Sequence, residues 1–351
     1  MKAVSLFAGV GGFDLALTSN GAEVVASVEI DKHARKVLQK QFPNTTHLED
    51  VKNVTGQQLF DLGFNSDGII VGGFPCQDVS VAGRRAGLTR ADGTHTRSGL
   101  FWEVVRLLQE TKAKYFILEN VPGLLSSNEG KDFGTVIGAL DELGYGIAWR
   151  ILDAQHFGVP QRRRRIFIVG CLGGSWKCSG QVLDIEGSIR ENLESNEQNE
   201  PRTRSNAQSS SKNDYVTYSK VRRAQTNTDF ETWVERNYTN TLNAFDNASE
   251  SRATELLISK DLFSTTCIQC GNDDSTVNHP FCMDCIDIGY REWKFLRRLL
   301  PVEFERLQGF PDGWTDGQAD SHRYKQMGNA VAVPVVSWIV NRLMGAANDL
   351  D

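Results

Sequence analysis

Residues 1–171 alternate short apolar runs with longer stretches in which apolar positions recur every three or four residues. The short runs are typical of buried strands, and the helical spacing between them predicts amphipathic helices. Strands that alternate with helices indicate an α/β fold with a mostly parallel sheet covered on both faces. The predicted strands are AVSLF, EVVASVEI, GIIVGG, KYFILEN, GIAWRILDA and RRIFIVGCL, and the predicted helices are DLALTSNG, KHARKVLQKQF, GLFWEVVRLLQETK and GTVIGALDELG.

This pattern stops after Cys171. Residues 172–214 are rich in glycine, serine, asparagine and glutamate, and residues 215–290 show no clear alternation. Helical spacing returns in WKFLRRLLPVEFERLQGFP, and GNAVAVPVVSWIVNRLMGAA predicts a strand or turn followed by an amphipathic helix. We therefore predict one domain from residues 1–171 plus 297–351, with this tail packed back on the first domain, and a smaller mixed domain from residues 172–296.

Composition and charge fit a soluble globular protein. Of 351 residues, 40% are hydrophobic and 23% are charged, and no apolar run approaches the ~18 residues of a membrane span. The start, MKAVSLFAG, enters a strand pattern at once rather than a signal peptide, so we expect a cytoplasmic protein. A net charge of −6 argues weakly against nucleic acid, but QRRRRIF (161–167) concentrates positive charge locally.

Four of the seven cysteines form one cluster, and we expect all seven thiols to be reduced. Cys267, Cys270, Cys282 and Cys285 form two C-x2-C pairs separated by eleven residues. Two such pairs can supply four thiolates to one tetrahedral structural zinc, so we predict a zinc module at residues 267–285. His279 is an alternative ligand, and free or disulfide-linked thiols are the alternative to zinc.

Polar and glycine residues follow most of the predicted strands. In a parallel sheet the carboxyl ends of the strands meet at one edge, where ligands bind. The loop FAGVGG lets backbone N–H groups approach a ligand, and Glu29, 20 residues after Gly9, suits a ribose diol. The pattern G-x-G-x-x-G fails because Asp14 holds its last position, which favours a nucleoside ligand without pyrophosphate. The other polar or glycine groups after strand-like segments are Asp50, GGFPC (72–76), Glu119 and Asn120.

Six segments together resemble the bacterial and phage type of DNA (cytosine-5) methyltransferases. They are SLFAGVGGFDLAL, GGFPCQDVS, FILENVPGLL, VPQRRRRIFIVG, RLLPVEFERLQGFPDGW and QMGNAVAVPVV, in this order, within residues 1–171 and 297–345. The resemblance implies a Rossmann-like methyltransferase domain and a target-recognition domain in residues 172–296. It also implies transfer of a methyl group from S-adenosylmethionine to C5 of a cytosine in a specific duplex DNA sequence.

The resemblance implies roles for four catalytic residues. Cys76 would add as a thiolate to C6 of cytosine, which makes C5 nucleophilic; the alternative is an inert core cysteine. Glu119 would bond the N3 edge and act as an acid, a role that burial of the carboxyl favours, while Asn120 would brace the local turn. Arg165 would lie near the cysteine and cytosine O2, with Arg163 beside it. Alternation along a strand places Arg162 and Arg164 on the opposite face.

The donor site is likewise implied by resemblance. Backbone groups of the glycine loop and the side chain of Glu29 would hold the donor, and the C-terminal segment would close the site. The residues assigned to the cofactor are Phe7, Gly9, Gly11, Gly12, Glu29, Ile30, Asp50, Phe74, Asn329 and Val331.

A cytosine stacked in duplex DNA must be flipped out before a thiol can reach it. The loop at residues 77–99 carries glycines and arginines that suit a mobile lid over phosphates. Val79 and Ala82 depart from the family pattern in this loop, which leaves its contacts to the flipped site open. The residues assigned to DNA are Gln77, Ser80, Arg97, Arg222, Arg223, Thr239 and Thr241.

Two other functions compete with this interpretation. A tRNA cytosine-5 methyltransferase would share these motifs, and a noncatalytic DNA-binding relative would keep the fold without the reaction. The large variable region favours duplex DNA as the partner. We expect a monomer, and a cognate restriction endonuclease is a further candidate partner.

Overall fold

The computed structural model describes residues 1–75, 100–174, 176–184, 215–222, 232–236, 255–259, 296–297 and 299–348. Its first sheet has seven strands: β1 Lys2–Leu6, β2 Glu23–Val28, β3 Thr46–Leu48, β4 Ile69–Gly73, β5 Tyr115–Asn120, β6 Tyr145–Asp153 and β7 Arg164–Leu172. Their order is β3-β2-β1-β4-β5-β7-β6. Strands β1 to β5 pair in parallel, whereas β7 runs antiparallel to both of its neighbours. The predicted mostly parallel α/β fold is confirmed.

Helices cover both faces of this sheet. The helices of the first part are α1 Gly12–Ser19, α2 Lys32–Gln41, α3 Gly56–Asp61, α4 Phe101–Thr111, α5 Lys131–Glu142 and α6 Trp176–Val182, and those of the last part are α7 Pro301–Gln308, α8 Asp320–Asn329 and α9 Val333–Asn348. Single-turn or irregular 3-10 segments lie at Val51–Asn53, Pro122–Gly130 and Ala154–His156. Within the described ranges, no helix is long and apolar enough to cross a membrane.

The strands bury side chains on both faces, as central parallel strands do. Ile69 and Val71 of β4 belong to the core layer under α1 and α9, while Ile70 between them belongs to the layer under α4 and α5. Continuous apolar runs such as GIIV therefore reflect burial on both sides.

A second sheet contains four antiparallel strands in the order β11-β10-β8-β9. They are β8 Tyr215–Arg222, β9 Thr232–Arg236, β10 Glu255–Ser259 and β11 Leu296–Arg297. The helical expectation is wrong at Leu296–Arg297, which pair with β10. Helix α7 begins only at Pro301, because proline suits the first helical position and the Glu303 carboxylate accepts the N–H of Leu300 at 2.6 Å.

The C-terminal part packs against the N-terminal part of the first sheet, as the sequence predicted. The indole Nε1 of Trp314 donates to the carbonyl of Val10 at 2.7 Å, and the amide of Asn20 donates to the hydroxyl of Ser337 at 2.7 Å. The N-terminal and C-terminal parts of the chain therefore pack directly against each other. The proposed division at residues 172 and 296 remains a prediction.

The expectation that every thiol is reduced is wrong for one pair. The structure joins Cys171, at the end of β7, to Cys178 in α6 by a disulfide. Seven residues separate the two, and their Cα atoms lie 6.5 Å apart, within the span of a disulfide. Because α6 folds directly back on the sheet, it brings Cys178 next to Cys171 at the end of β7.

Candidate active site

One cleft of about 420 Å³ opens at the carboxyl edge of the sheet, between the ends of β1, β2, β4 and β5 and the C-terminal segment. This is the edge at which open α/β sheets bind ligands. Ten of the residues predicted for the donor or for catalysis line it: Phe7, Gly9, Glu29, Ile30, Asp50, Phe74, Glu119, Arg163, Arg165 and Asn329.

The glycine loop begins the cleft after β1. Phe7, Gly9 and Gly11 all have positive φ, at 52°, 57° and 87°. This left-handed backbone suits glycine and is unusual for phenylalanine, which indicates that the surrounding structure fixes the loop at Phe7. The loop turns the N–H of Gly9 toward the carboxylate of Glu29, at 2.7 Å from Oε2.

Glu29 links the glycine loop to the start of α2. Its Oε1 accepts the N–H of Asp31 at 2.8 Å, while Oε2 accepts that of Gly9. Burial raises the pKa of Glu29, and these two hydrogen bonds oppose the shift. A carboxylate oxygen has two lone pairs, so each oxygen retains one for a ribose hydroxyl. The geometry therefore suits the predicted role of Glu29.

The segment after Glu29 is held from outside the cleft. Arg35 donates to the carbonyls of Glu29 and Ile30 at 2.7 and 2.8 Å and pairs with Glu49 at 3.2 Å. The side chain of Ile30 is 68% exposed and lines the cleft. An exposed apolar side chain on a backbone held in this way offers a hydrophobic surface for a nucleobase.

The turn after β4 is fixed by Asn120. Its amide donates to the carbonyl of Phe74 at 3.2 Å, and its carbonyl oxygen accepts the N–H of Val121 at 2.9 Å. The Phe74 ring is buried and packs on Phe101, with centroids 5.3 Å apart. Pro75, which precedes Cys76, also lines the cleft. The bracing expected of Asn120 is thus present.

Glu119 and Arg165 form an ion pair inside the cleft. The guanidinium Nε lies 2.9 Å from Oε1 of the carboxylate, and both side chains are largely buried. Gly73 is the register partner of Glu119 on β4, and a Cβ at Gly73 would lie 2.9 Å from Oε2 of Glu119. The glycine therefore leaves room for this carboxylate beside the cleft.

Arg163 is directed to the C-terminal segment. Its guanidinium donates to the carbonyl of Ala330 at 2.6 Å and to that of Gly328 at 3.4 Å. These residues flank Asn329, which lines the cleft. Arg162 and Arg164 are exposed, whereas Arg163 is buried, so the expected alternation is confirmed.

Three residues assigned to the donor do not line the cleft. Gly12 and Val331 pack on each other, since a Cβ at Gly12 would lie 2.7 Å from Cγ2 of Val331. Gly11 faces Phe42, whose Cε2 would lie 2.5 Å from an added Cβ. Gly11 and Gly12 thus pack the glycine loop against Phe42 and Val331. Sequence spacing alone did not distinguish this packing role from contact with the donor.

Several predicted residues lie outside the described residues, so their roles remain predictions. Among the described ranges, no group of three or more histidine, cysteine or acidic side chains could hold a metal ion. The backbone of Arg222 ends β8. The residues outside are Cys76, Gln77, Ser80, Arg97, Arg223, Thr239, Thr241, Cys267, Cys270, Cys282 and Cys285.

The sequence analysis missed other cleft residues. Asp31, Leu100, Lys325 and Gln326 line the cleft beside the predicted set. Asp31 directly follows Ile30, and Lys325 and Gln326 precede the GNAV segment. Their position next to residues already assigned to the donor could have indicated that they line the cleft. No sequence pattern indicated that Asp31 pairs with Lys325 at 3.3 Å, because 294 residues separate them.

Comparison with known proteins agrees with this geometry. The chain is 30% identical to the Type II methyltransferase M.Sau3AI of Staphylococcus aureus, over 98% of this chain and 95% of that protein. It is also 30% identical to the Type II methyltransferase M.HpaII of Haemophilus parainfluenzae, over 95% and 86%. Among solved structures, the S. pombe Dnmt2 methyltransferase matches with a TM-score of 0.62 at 18% identity, over 98% of each chain, and shows the fold alone.

The family model described as C-5 cytosine-specific DNA methylase matches residues 1–345. That range contains the glycine loop, the Glu119–Arg165 pair and the C-terminal segment that closes the cleft. The chain therefore belongs to the C-5 cytosine-specific DNA methylase family.

Proposed function

We propose that the cleft binds S-adenosylmethionine and a flipped-out cytosine together, and that Cys76 attacks the cytosine. The observation that carries this proposal is the shared cleft. Pro75, next to Cys76, lines the same cavity as the Glu119–Arg165 pair and the donor-side Glu29. Groups for the donor and groups for the base thus meet at one edge of the sheet.

The chemistry follows from the inertness of cytosine C5. The bound donor supplies an electrophilic methyl group. The Cys76 thiolate adds to C6, and the electron pair of the 5,6 double bond then makes C5 nucleophilic. Glu119 contacts the N3 edge, and Arg165 stabilises the charge that develops at O2. C5 takes the methyl group from the donor sulfonium, which leaves as S-adenosylhomocysteine. A water molecule then accepts the C5 proton, and the electron pair of the C5–H bond re-forms the 5,6 double bond as the Cys76 thiolate leaves C6.

On the donor side, the Glu29 carboxylate accepts hydrogen bonds from the ribose hydroxyls, and Ile30 packs on the adenine. Asp50 accepts from the adenine amino group, and its Oδ1 also accepts the N–H of Lys52 at 3.0 Å. Phe7, Gly9, Phe74 and Asn329 complete the walls of the cavity.

The decisive experiment combines methyl transfer with adduct trapping. Wild-type protein should transfer tritiated methyl groups to duplex DNA and not to tRNA. It should also form a stable covalent complex with DNA that contains 5-fluorocytosine, because fluorine at C5 cannot leave as a proton. Cys76→Ser should lower transfer by at least about 10³-fold and form no complex, while it still binds DNA. Label only in tRNA, or an unchanged rate in Cys76→Ser, would refute the proposal.

Recognition of a specific duplex sequence is assigned to residues 172–296 and to Gln77, Ser80 and Arg97. The relatives named above are Type II methyltransferases, which supports a defined target site and a cognate restriction endonuclease as partner. Bisulfite sequencing of DNA from cells that express the protein should show one recurring methylated sequence. Methylation scattered without a common sequence would contradict this assignment.

We propose in addition that Cys267, Cys270, Cys282 and Cys285 bind one structural zinc ion. The support is their spacing, since two C-x2-C pairs can supply four thiolates. Metal analysis of purified protein should find about one zinc per chain. A double variant Cys282→Ser, Cys285→Ser should lose it, whereas His279→Ala should retain it. Metal-free, folded wild-type protein would exclude the zinc.

A further inference from the structure

Two contacts between α2 and α8 join the two sides of the donor cleft. Asp31, the N-cap residue of α2, pairs with the ammonium of Lys325 on α8 at 3.3 Å. The rings of His33 and His322 stack with centroids 3.8 Å apart and planes 17° from parallel. Asp31 and Lys325 both line the cleft. We call these four residues the α2–α8 strap.

The Asp31 side of the strap is rigid. Its Oδ1 accepts the N–H groups of His33 and Ala34 at 2.8 and 3.2 Å, which leaves Oδ2 for Lys325. Arg35 holds the preceding backbone through the carbonyls of Glu29 and Ile30. The carboxylate therefore keeps its position whether or not Lys325 is present.

The Lys325 side is able to open. Its side chain is 55% exposed and reaches Asp31 through a flexible stem. Exposed ion pairs contribute little to the free energy of folding and weaken with salt. The pair can therefore break and form again without disturbing the fold.

The strap lies beside the surface proposed for the donor's adenine. Ile30 is adjacent in sequence to Asp31, lines the same cleft and is largely exposed. A donor that rests on Ile30 would therefore lie next to the Asp31–Lys325 pair. We propose that the α2–α8 strap closes the donor cleft and that Lys325 is a positioning residue that slows release of the methyl donor and its demethylated product.

This proposal rests on the proposed function, and a binding experiment separates the two. Wild-type protein must first bind S-adenosylhomocysteine in a calorimetric titration; absence of binding would refute the proposed donor site itself. Release of labelled S-adenosylhomocysteine is then followed after a chase with unlabelled compound. Lys325→Met should speed release by about 5-fold, and Lys325→Arg should restore it because it keeps the charge. Lys131→Met is the matched control, because it removes another exposed ion pair, with Glu129 at 3.6 Å, that lies outside the strap; it should leave the release rate unchanged.

Ionic strength distinguishes the strap from a general structural effect. Release from wild-type protein should become faster between 50 mM and 500 mM salt, because salt screens the exposed pair, whereas release from Lys325→Met should change little. Equal release rates, or the same salt dependence in both, would overturn the proposal.

Discussion

Asp14 occupies the position at which a dinucleotide-binding loop would have its last glycine. Its carboxylate is fully buried, and the hydroxyls of Ser5 on β1 and Ser27 on β2 donate to its two oxygens. Burial raises the pKa of Asp14 above its ordinary 3.8, although both hydroxyls favour the charged form. The Asp14 side chain thereby links α1 by hydrogen bonds to β1, which precedes the glycine loop, and to β2, which precedes Glu29.

The raised pKa of Asp14 predicts a pH dependence of stability. The folded state binds the Asp14 proton more tightly than the unfolded state does. This contribution to stability is complete below pH 3.8 and is lost as pH rises through the folded pKa. Asp14→Asn does not titrate, so its free energy of unfolding should rise relative to wild type when urea unfolding is compared from pH 4.5 to 7.5. Asp14→Ala should be less stable by about 1–3 kcal/mol, because both hydroxyls lose their partner. A constant difference between the Asn variant and wild type across this range would contradict the prediction.

At the scale of elements, the start of α2 meets the first two turns of α8, and the charges there predict how pH acts on the strap. Burial lowers the pKa of His33 most, and the charge of the nearby His322 lowers it further. Lys32 and Lys36 act in the same direction, while Asp31 opposes them. Partial burial favours a higher pKa for Asp31, but the N–H groups of His33 and Ala34 and the ammonium of Lys325 together outweigh it, so the pKa of Asp31 lies below its ordinary value.

Because the pKa of His33 is lowered, the stack stabilises the folded contact above pH 6.5, and this contribution is lost as pH falls below that value. Release of S-adenosylhomocysteine from wild type should therefore be faster at pH 5.5 than at pH 7.5. His322→Phe keeps a stacked ring that carries no charge, so its release rate should change less over this interval. If both proteins respond equally to pH, the stack does not control the strap.

At the scale of the whole molecule, long-range contacts assemble the cleft. Arg163 holds the carbonyls on both sides of Asn329, and Trp314 holds the glycine loop through Val10. Both contacts join parts of the chain more than 160 residues apart, as 165 residues separate Arg163 from Gly328. The donor side of the cleft thus depends on contacts between segments that are distant in the sequence.

This packing predicts different phenotypes for Arg163, which precedes β7, and for Arg165, which lies in β7. Arg163→Met leaves two carbonyls without their donor, so it should lower the free energy of unfolding by about 1–3 kcal/mol and raise KM for the methyl donor. Arg165→Met should instead lower kcat at saturating donor, since Arg165 pairs with Glu119. Arg162→Met, on the exposed face, is the control for both. A fall in kcat with an unchanged donor KM in Arg163→Met would assign that arginine to the base instead.

The sequence predicted the local part of this arrangement well. Periodicity identified the six longer strands of the first sheet, and strand-end reasoning brought Glu29, Asp50 and Glu119 to one edge, because both depend only on neighbours along the chain. It did not predict the direction of Arg163, the Gly12–Val331 packing, the Cys171–Cys178 disulfide or the Asp31–Lys325 pair. Each depends on which distant segment packs where, and a single sequence carries no local pattern for that choice.

One consequence of the shared cleft concerns synthesis on the ribosome. Its walls include Phe7 and Gly9 but also Gln326, Asn329 and Ala330, so the early strands emerge long before the cavity can form. A nascent or prematurely terminated chain that stops before α8 has the glycine loop but lacks the wall opposite it. Such fragments would hold the donor poorly and leave DNA unmodified, so that methylation starts only when translation has passed the segment that closes the cleft.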